Sequence, residues 1–148
     1  MNVDGLGAKM AQSNKDNLRR FFEQVWDQGD ETAVDAFLAD SYTIQHDPGD
    51  PWHGKTLDIN GFKERLRVSR TPFPDQKFNI QEMTEEDNRI AVSWLWTGTH
   101  KADIPGFPAS GKVISMSGLT IYFFKEGRIC GHWQQTDRLS VFQQLSQP

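Results

Sequence analysis

Apolar residues recur with helical spacing in the first half of the chain and alternate with polar ones in the second. Leu18, Phe21, Phe22, Val25 and Trp26 fall at i, i+3, i+4, i+7 and i+8, one stripe of a 3.6-residue period, and predict a helix over about 14–28. Ser13 and Asp16 are spaced like a capping box at its start, and Gly29 is placed to end it in a left-handed conformation. Asp30 can cap a second, shorter helix carrying Val34, Phe37 and Leu38, which Asp40-Ser41 closes. From Tyr42 the pattern changes: Tyr42, Ile44 and His46 alternate with Thr43 and Gln45, a short strand that runs into the turn-rich loop Asp47 to Gly54. Ile59, Phe62 and Leu66 mark a third helix, capped by Thr56 or Asp58 and stopped before the prolines of Thr71-Pro72-Phe73-Pro74-Asp75.

The remainder reads as strands. Lys77 to Met83 alternates, Glu85 to Asn88 is a polar turn, and Arg89 to His100 is a long run of β-formers, so the two segments predict a hairpin. Asp103 to Gly111 is a loop before a second long strand, Lys112 to Phe124, and Glu126-Gly127 turns the chain into a last strand. Asp137 can cap a final helical turn with Leu139, Val141, Phe142 and Leu145. Helices first and a meander afterwards predict an α+β fold, a curved antiparallel sheet wrapped over three N-terminal helices. A sheet curled in this way encloses a pocket for a small ligand between its concave face and the helices.

Composition narrows the partners. The 148 residues show no compositional break and predict a single domain over 13–148 after a loose tail at 1–12. A formal net charge of −4 lacks the basic footprint of a nucleic-acid binder, and no apolar run reaches the length of a membrane span or signal peptide. The lone Cys130 excludes an internal disulfide framework and fits a cytoplasmic setting. The four histidines and the one cysteine do not repeat with metal-ligand spacing, and there is no Gly-rich phosphate loop, so neither a metal nor a cofactor is expected.

Candidate chemistry concentrates in Gly127 to Asp137. Alternation puts Cys130, His132 and Gln134 on one face of the last strand and Gly131, Trp133 and Gln135 on the other. His132 is a candidate base, with an unperturbed pKa of about 6.5, and His46, at the end of its strand, is the second. Trp94 and Trp96 share a face with Ile90 and Val92, as core, as a dimer interface or as an aromatic wall for a flat ligand. Asp137 reads as a helix cap, Cys130 as an inert small hydrophobe, and His53 and His100 as solvent-facing loop residues.

Phe21-Phe22 with Trp26 and Gly29-Asp30, Tyr42 to His46 before Pro48, Phe73-Pro74-Asp75, Gly98-Thr99-His100, Pro105-Gly106-Phe107-Pro108 before Gly111-Lys112, Gly127-Arg128-Ile129 before Trp133 and Asp137, and Gln144-Leu145 occur in an order that resembles the SnoaL-like polyketide cyclases and their ester cyclase relatives, within the nuclear transport factor 2-like superfamily. The resemblance covers about residues 14–146 and implies a cone-shaped α+β barrel. It also implies cofactor-independent proton transfer, of cyclase, isomerase or hydratase type, on a small apolar carbonyl compound or lactone. The family's histidine matches His132, whereas the position of its catalytic aspartate is held by Gln134, a carboxamide that neither accepts nor delivers a proton near neutral pH. The glutamine and histidine of the antibiotic cyclases fall at Thr120 and Tyr122. The pattern of the chain and these implications together make His132 and His46 the catalytic candidates and Gln134, Tyr122, Thr120 and Trp96 the substrate-binding ones. They leave open a non-catalytic ligand-binding or dimerisation module of the same fold, and in either case imply a homodimer.

Overall fold

The computed structural model describes residues 13–148; the tail expected at 1–12 lies outside the described residues. The Ser13 hydroxyl accepts the Asp16 N–H at 3.1 Å and starts helix α1, Asn14–Phe21. The helix continues as a π turn, Phe22–Asp27, and Gly29 ends it at a φ of 71°, the left-handed conformation that a residue without a Cβ adopts freely. Leu18, Phe21 and Val25 are fully buried, so the predicted stripe is the face that packs.

The second helix is shorter than expected. Asp30 caps a 3-10 turn, Glu31–Ala33, and α2 is only Val34–Phe37. Strand β1 already begins at Leu38 and runs to His46, so Asp40 and Ser41 lie in a strand instead of closing a helix. Pairing decides this, because β1 joins the sheet along its length and buries Leu38, Tyr42 and Ile44 on one side. A two-residue strand β2, Thr56–Leu57, pairs antiparallel with β1, and Asp58 then caps α3, Ile59–Arg70, by accepting the Gly61 N–H at 2.7 Å.

Strands β3 (Lys77–Glu86), β4 (Arg89–Thr99), β5 (Val113–Lys125) and β6 (Arg128–Thr136) form the expected meander. Glu126 and Gly127, both at positive φ, make the tight turn between β5 and β6. A nine-residue helix α4, Arg138–Ser146, follows its Asp137 cap, longer than the single turn anticipated. The sheet order is β2-β1-β6-β5-β4-β3, curved and not closed, and the β1–β6 pair is parallel. The sheet is therefore mixed rather than purely antiparallel. Periodicity within a strand encodes which face is buried but not the direction of its partner. The core fills the concave side, with Ile90 and Val92 at no exposure, whereas Leu95 on the convex side is 48% exposed.

Candidate functional site

A cavity of about 500 Å³ lies between the concave face of the sheet and the helices. Trp94 and Trp96 of β4, Tyr122 of β5, His132 and Gln134 of β6, and Trp26 of the π turn line it. The Trp94 indole lies across Gly118 of the neighbouring strand, where a Cβ would come within 2.2 Å of its ring. The side-chain-free position on β5 thus makes the slot in which the wall's indole rests. The indole N–H donates to the Thr120 hydroxyl at 2.9 Å, that of Trp96 to Gln76 Oε1 at 3.3 Å, and both rings are consequently fixed in place.

Five of the six residues expected at the site meet here. Tyr122, Gln134 and Trp96 line the cavity together with His132, and Thr120, fully buried behind them, holds Gln134 by donating its hydroxyl to Oε1 at 2.7 Å. His46 is placed elsewhere: its ring stacks on Trp133 at 4.4 Å and its Nε2 lies 2.9 Å from Gln135 Nε2, on the other face of the sheet from His132. Cys130 is also out of phase with His132. The ladder steps from Phe123 opposite Gly131 to Phe124 opposite Ile129, so Cys130 is the extra residue of a β-bulge, and Ile129 takes the buried position in its stead. His100, expected in solvent, is completely buried, with its Nδ1 3.0 Å from the Ser110 hydroxyl.

The polar centre of the site is Asp47, a residue the sequence presents only as part of a turn. Its carboxylate is fully buried and collects four donors. His132 Nε2 lies 3.0 Å from Oδ2, Gln134 Nε2 3.2 Å and Arg65 Nη2 3.3 Å, while Arg138 Nη1 lies 3.1 Å from Oδ1. Burial raises its pKa, but the bond from His132 and the charges of Arg138 and Arg65 outweigh that, and Asp47 stays ionised below its ordinary value. Beside it, Asp50 lines the cavity. Its Oδ2 accepts from Arg65 Nη2 at 3.0 Å and Nε at 3.3 Å, and its Oδ1 accepts the Trp52 N–H at 2.8 Å.

The protons follow from these bonds. Burial keeps the Tyr42 phenol far above its ordinary pKa and hence protonated, so it donates to His132 Nδ1 across 2.5 Å. The ring proton is then on Nε2, facing Asp47. Burial, the largest influence, holds His132 below its ordinary pKa against the pull of Asp47, so the ring is neutral and both of its nitrogens are committed. Tyr122 differs. Burial likewise raises its pKa and keeps it a phenol, but its hydroxyl has no hydrogen-bond partner among the described residues and sits on the cavity wall. Among the described residues no group of three His, Cys, Asp or Glu side chains is placed to hold a metal ion.

The model of the SnoaL-like polyketide cyclase family matches residues 16–145. The chain belongs to that family. Its fold superposes with a TM-score of 0.87 on a "putative polyketide cyclase" from Acidithiobacillus ferrooxidans, at 50% identity over 91% of this chain and 95% of that one. IdmH, a "putative polyketide cyclase" from Streptomyces antibioticus, has the same fold at 24% identity and a TM-score of 0.79, covering 92% of this chain and all of its own. A "Putative SnoaL-like polyketide cyclase" from Jannaschia sp. CCS1 follows at 20% identity and a TM-score of 0.78, with coverage of 93% and 98%. No curated protein matches the chain. In this SnoaL-like chain the sequence reading missed Asp47, Asp50, Arg65 and Arg138. Only Arg65 carried a signal, since it lies between Phe62 and Leu66 on the buried stripe of α3, where a charge requires a buried partner.

Proposed function

We propose that this chain catalyses cofactor-independent proton transfer on a small, mostly apolar carbonyl compound or lactone, taken up in the cavity as a hydrophobic pocket. The observation that carries the reading is the Tyr122 hydroxyl, held as a phenol by burial, bonded to no described group and facing the cavity. Such a hydroxyl donates to a ligand carbonyl and gains strength as charge develops on that oxygen. The indole N–H groups of Trp94 and Trp96 are already bonded within the protein, so these rings offer the ligand faces and edges, a surface for a flat molecule.

The proton acceptor in this reading is Asp50, a carboxylate on the cavity wall held by Arg65 and the Trp52 N–H. A C–H bond next to the carbonyl breaks, the proton passes to Asp50, and the electron pair moves to the oxygen as an enolate. Reprotonation at another carbon gives isomerisation; attack of the enolate carbon on a second carbonyl gives ring closure. His132 and Gln134, both bonded to Asp47, position the wall instead of taking the proton. The test is exchange of α-hydrogens for deuterium, followed by NMR, on aryl ketones selected by thermal shift. The wild type should exchange them well above the buffer rate, and Asp50→Asn should lower the rate by about 100-fold or more. Exchange at the buffer rate for every ketone that binds would overturn the reading in favour of the second one, a ligand-binding module. Support for that second reading is the full commitment of both His132 nitrogens together with a carboxamide at position 134.

A homodimer belongs to the same proposal. Leu95, Leu119 and Trp133, 48%, 50% and 37% exposed, project from the convex side of neighbouring strands and supply an apolar face for a second copy.

A further inference from the structure

Two glycines stand inside strands on the concave face, Gly98 in β4 and Gly118 in β5, and neither has the positive φ at which a glycine is needed. In an extended strand a residue without a side chain packs nothing and frees the unfolded chain, so its value lies in the space that a Cβ would take. Both spaces are filled by the tryptophans of the cavity wall. A Cβ on Gly118 would lie 2.2 Å from Cζ2, 2.4 Å from Cη2 and 2.7 Å from Cε2 of Trp94. One on Gly98 would lie 2.9 Å from Cζ2 and 3.0 Å from Cη2 of Trp96. The first contact cannot exist unless the indole moves; the second asks for a smaller shift.

The register shows where a displaced indole would go. Trp94 stands opposite Gly118, and Gly118 opposite Thr136, so the three form one row across β4, β5 and β6 on the same face. Thr136 lines the cavity, as Trp94 does. The indole of Trp94 thus reaches over the neighbouring strand in the place of its missing side chain. Its Nε1 is tied to Thr120 at 2.9 Å, and its ring meets Phe78 in a T-shape with centroids 4.9 Å apart. With Thr120 and Phe78 beside the ring and a methyl group beneath it, the direction left is into the cavity. The same movement would draw the indole off Thr120, whose hydroxyl holds Gln134, a further residue of the wall, at 2.7 Å.

We propose that Gly118 is a specificity-determining residue of the cavity: by housing the outer ring of Trp94 it sets the largest flat ligand that the cavity admits, with Gly98 beside Trp96 a weaker second. The inference rests on the proposed function only in taking the cavity as the ligand pocket, and it holds whether the ligand is converted or simply bound.

The probes are acetophenone, 2-acetylnaphthalene and 2-acetylanthracene, the same ketone on one, two and three fused rings, with Kd read by titration calorimetry. One carbon too many in an apolar pocket changes affinity by about tenfold or more, so Gly118→Ala should weaken 2-acetylnaphthalene by about that factor and acetophenone by less than about threefold. Gly98→Ala should weaken 2-acetylnaphthalene by only about threefold. Trp94→Phe removes the ring atoms that fill the slot and should strengthen 2-acetylanthracene by about threefold or more. In Gly118→Ala/Trp94→Phe the alanine methyl has no indole to strike, and 2-acetylnaphthalene should return to within about threefold of its wild-type Kd. Distortion of the strand by the alanine would instead weaken all ligands alike and persist in the double variant, and either result overturns the inference. If Gly118→Ala does not fold, Trp94→Phe decides, because it leaves the strand as it is; no gain for 2-acetylanthracene overturns the role of the slot. A wild type that binds none of the three ketones would remove the pocket and this inference with it. Binding without exchange of α-hydrogens would remove the proton-transfer reading alone and leave Gly118 its role, so the two claims fail separately.

Discussion

The two faces of the paired strands β1 and β6 carry nearly the same side chains under opposite conditions. Inside, His132 and Gln134 stand with Tyr42 and Asp47; outside, His46 and Gln135 stand with Trp133. The inner histidine is 2% exposed, has both nitrogens bonded, and needs the buried carboxylate of Asp47 and two guanidinium groups to balance the charge around it. The outer one is half-buried and sits on an indole face, with no carboxylate bonded to it among the described residues. Where water is excluded, every proton must be assigned and every charge answered; at the surface, stacking is enough.

The largest break in this comparison should come from Asp47→Ala, which strands Arg65, Arg138 and His132 around an empty centre. A loss of about 3–5 kcal/mol is expected in urea denaturation, against about 0.5 kcal/mol or less for His46→Ala on the other face. Similar costs for the two would mean that Asp47 is no hub. Gln134→Asp comes next, because it replaces an amide that donates to Asp47 with a second carboxylate. Two like charges cannot both be ionised cheaply at that distance, so about 1–3 kcal/mol should be lost at pH 7 and partly regained near pH 5, where the pair shares a proton. A melting temperature with no such acid recovery would contradict the geometry.

The pH profile of the wild type sharpens the same point. The folded pKa of His132 lies below its ordinary 6.5, so between the two values the unfolded chain binds the extra proton. Stability should therefore be full above about pH 6.5 and fall as the pH drops from there, at no more than about 1.4 kcal/mol per unit. Asp47, held below its ordinary 3.8, adds its own loss only at more acid pH. Thermal melts of His132→Gln should flatten the upper window and leave the lower one. Only a small effect on folding, under about 1 kcal/mol, is expected for Trp133→Ala. Its readout is association: sedimentation should turn a dimer into a monomer, and a wild type that sediments as a monomer would remove the dimer proposal.

The site was half legible in the sequence, and the reason lies in range. His132, Gln134, Thr120, Tyr122 and Trp96 could be gathered because strand alternation and family resemblance are carried by contiguous or aligned residues. Asp47 and Asp50 come from one loop and Arg65 and Arg138 from two different helices, and only packing brings their ion pairs within 3.3 Å. Asp47 looked like any turn aspartate before proline. The helices and the meander were legible for the same local reason, whereas the parallel β1–β6 pair joins residues some 90 positions apart and has no local signature. The bulge at Cys130 shows the limit within a single strand, because one extra residue changes which side chains share a face.

The π turn in the first helix has a mechanical use. Trp26 and Asp27 close that turn, and their carbonyls, without partners inside the helix, turn outward: that of Trp26 accepts from Arg70 Nε at 3.0 Å and Gln76 Nε2 at 2.9 Å, and that of Asp27 from Arg70 Nη2 at 2.9 Å. Those bonds rivet the connection between α3 and β3 to the end of α1, and Gln76 in turn steadies Trp96. The orphan carbonyls at the end of a helix thus serve as a fastening for the far wall. A single-residue deletion between Phe22 and Asp27 would retune the shape of the cavity without altering any side chain on that wall.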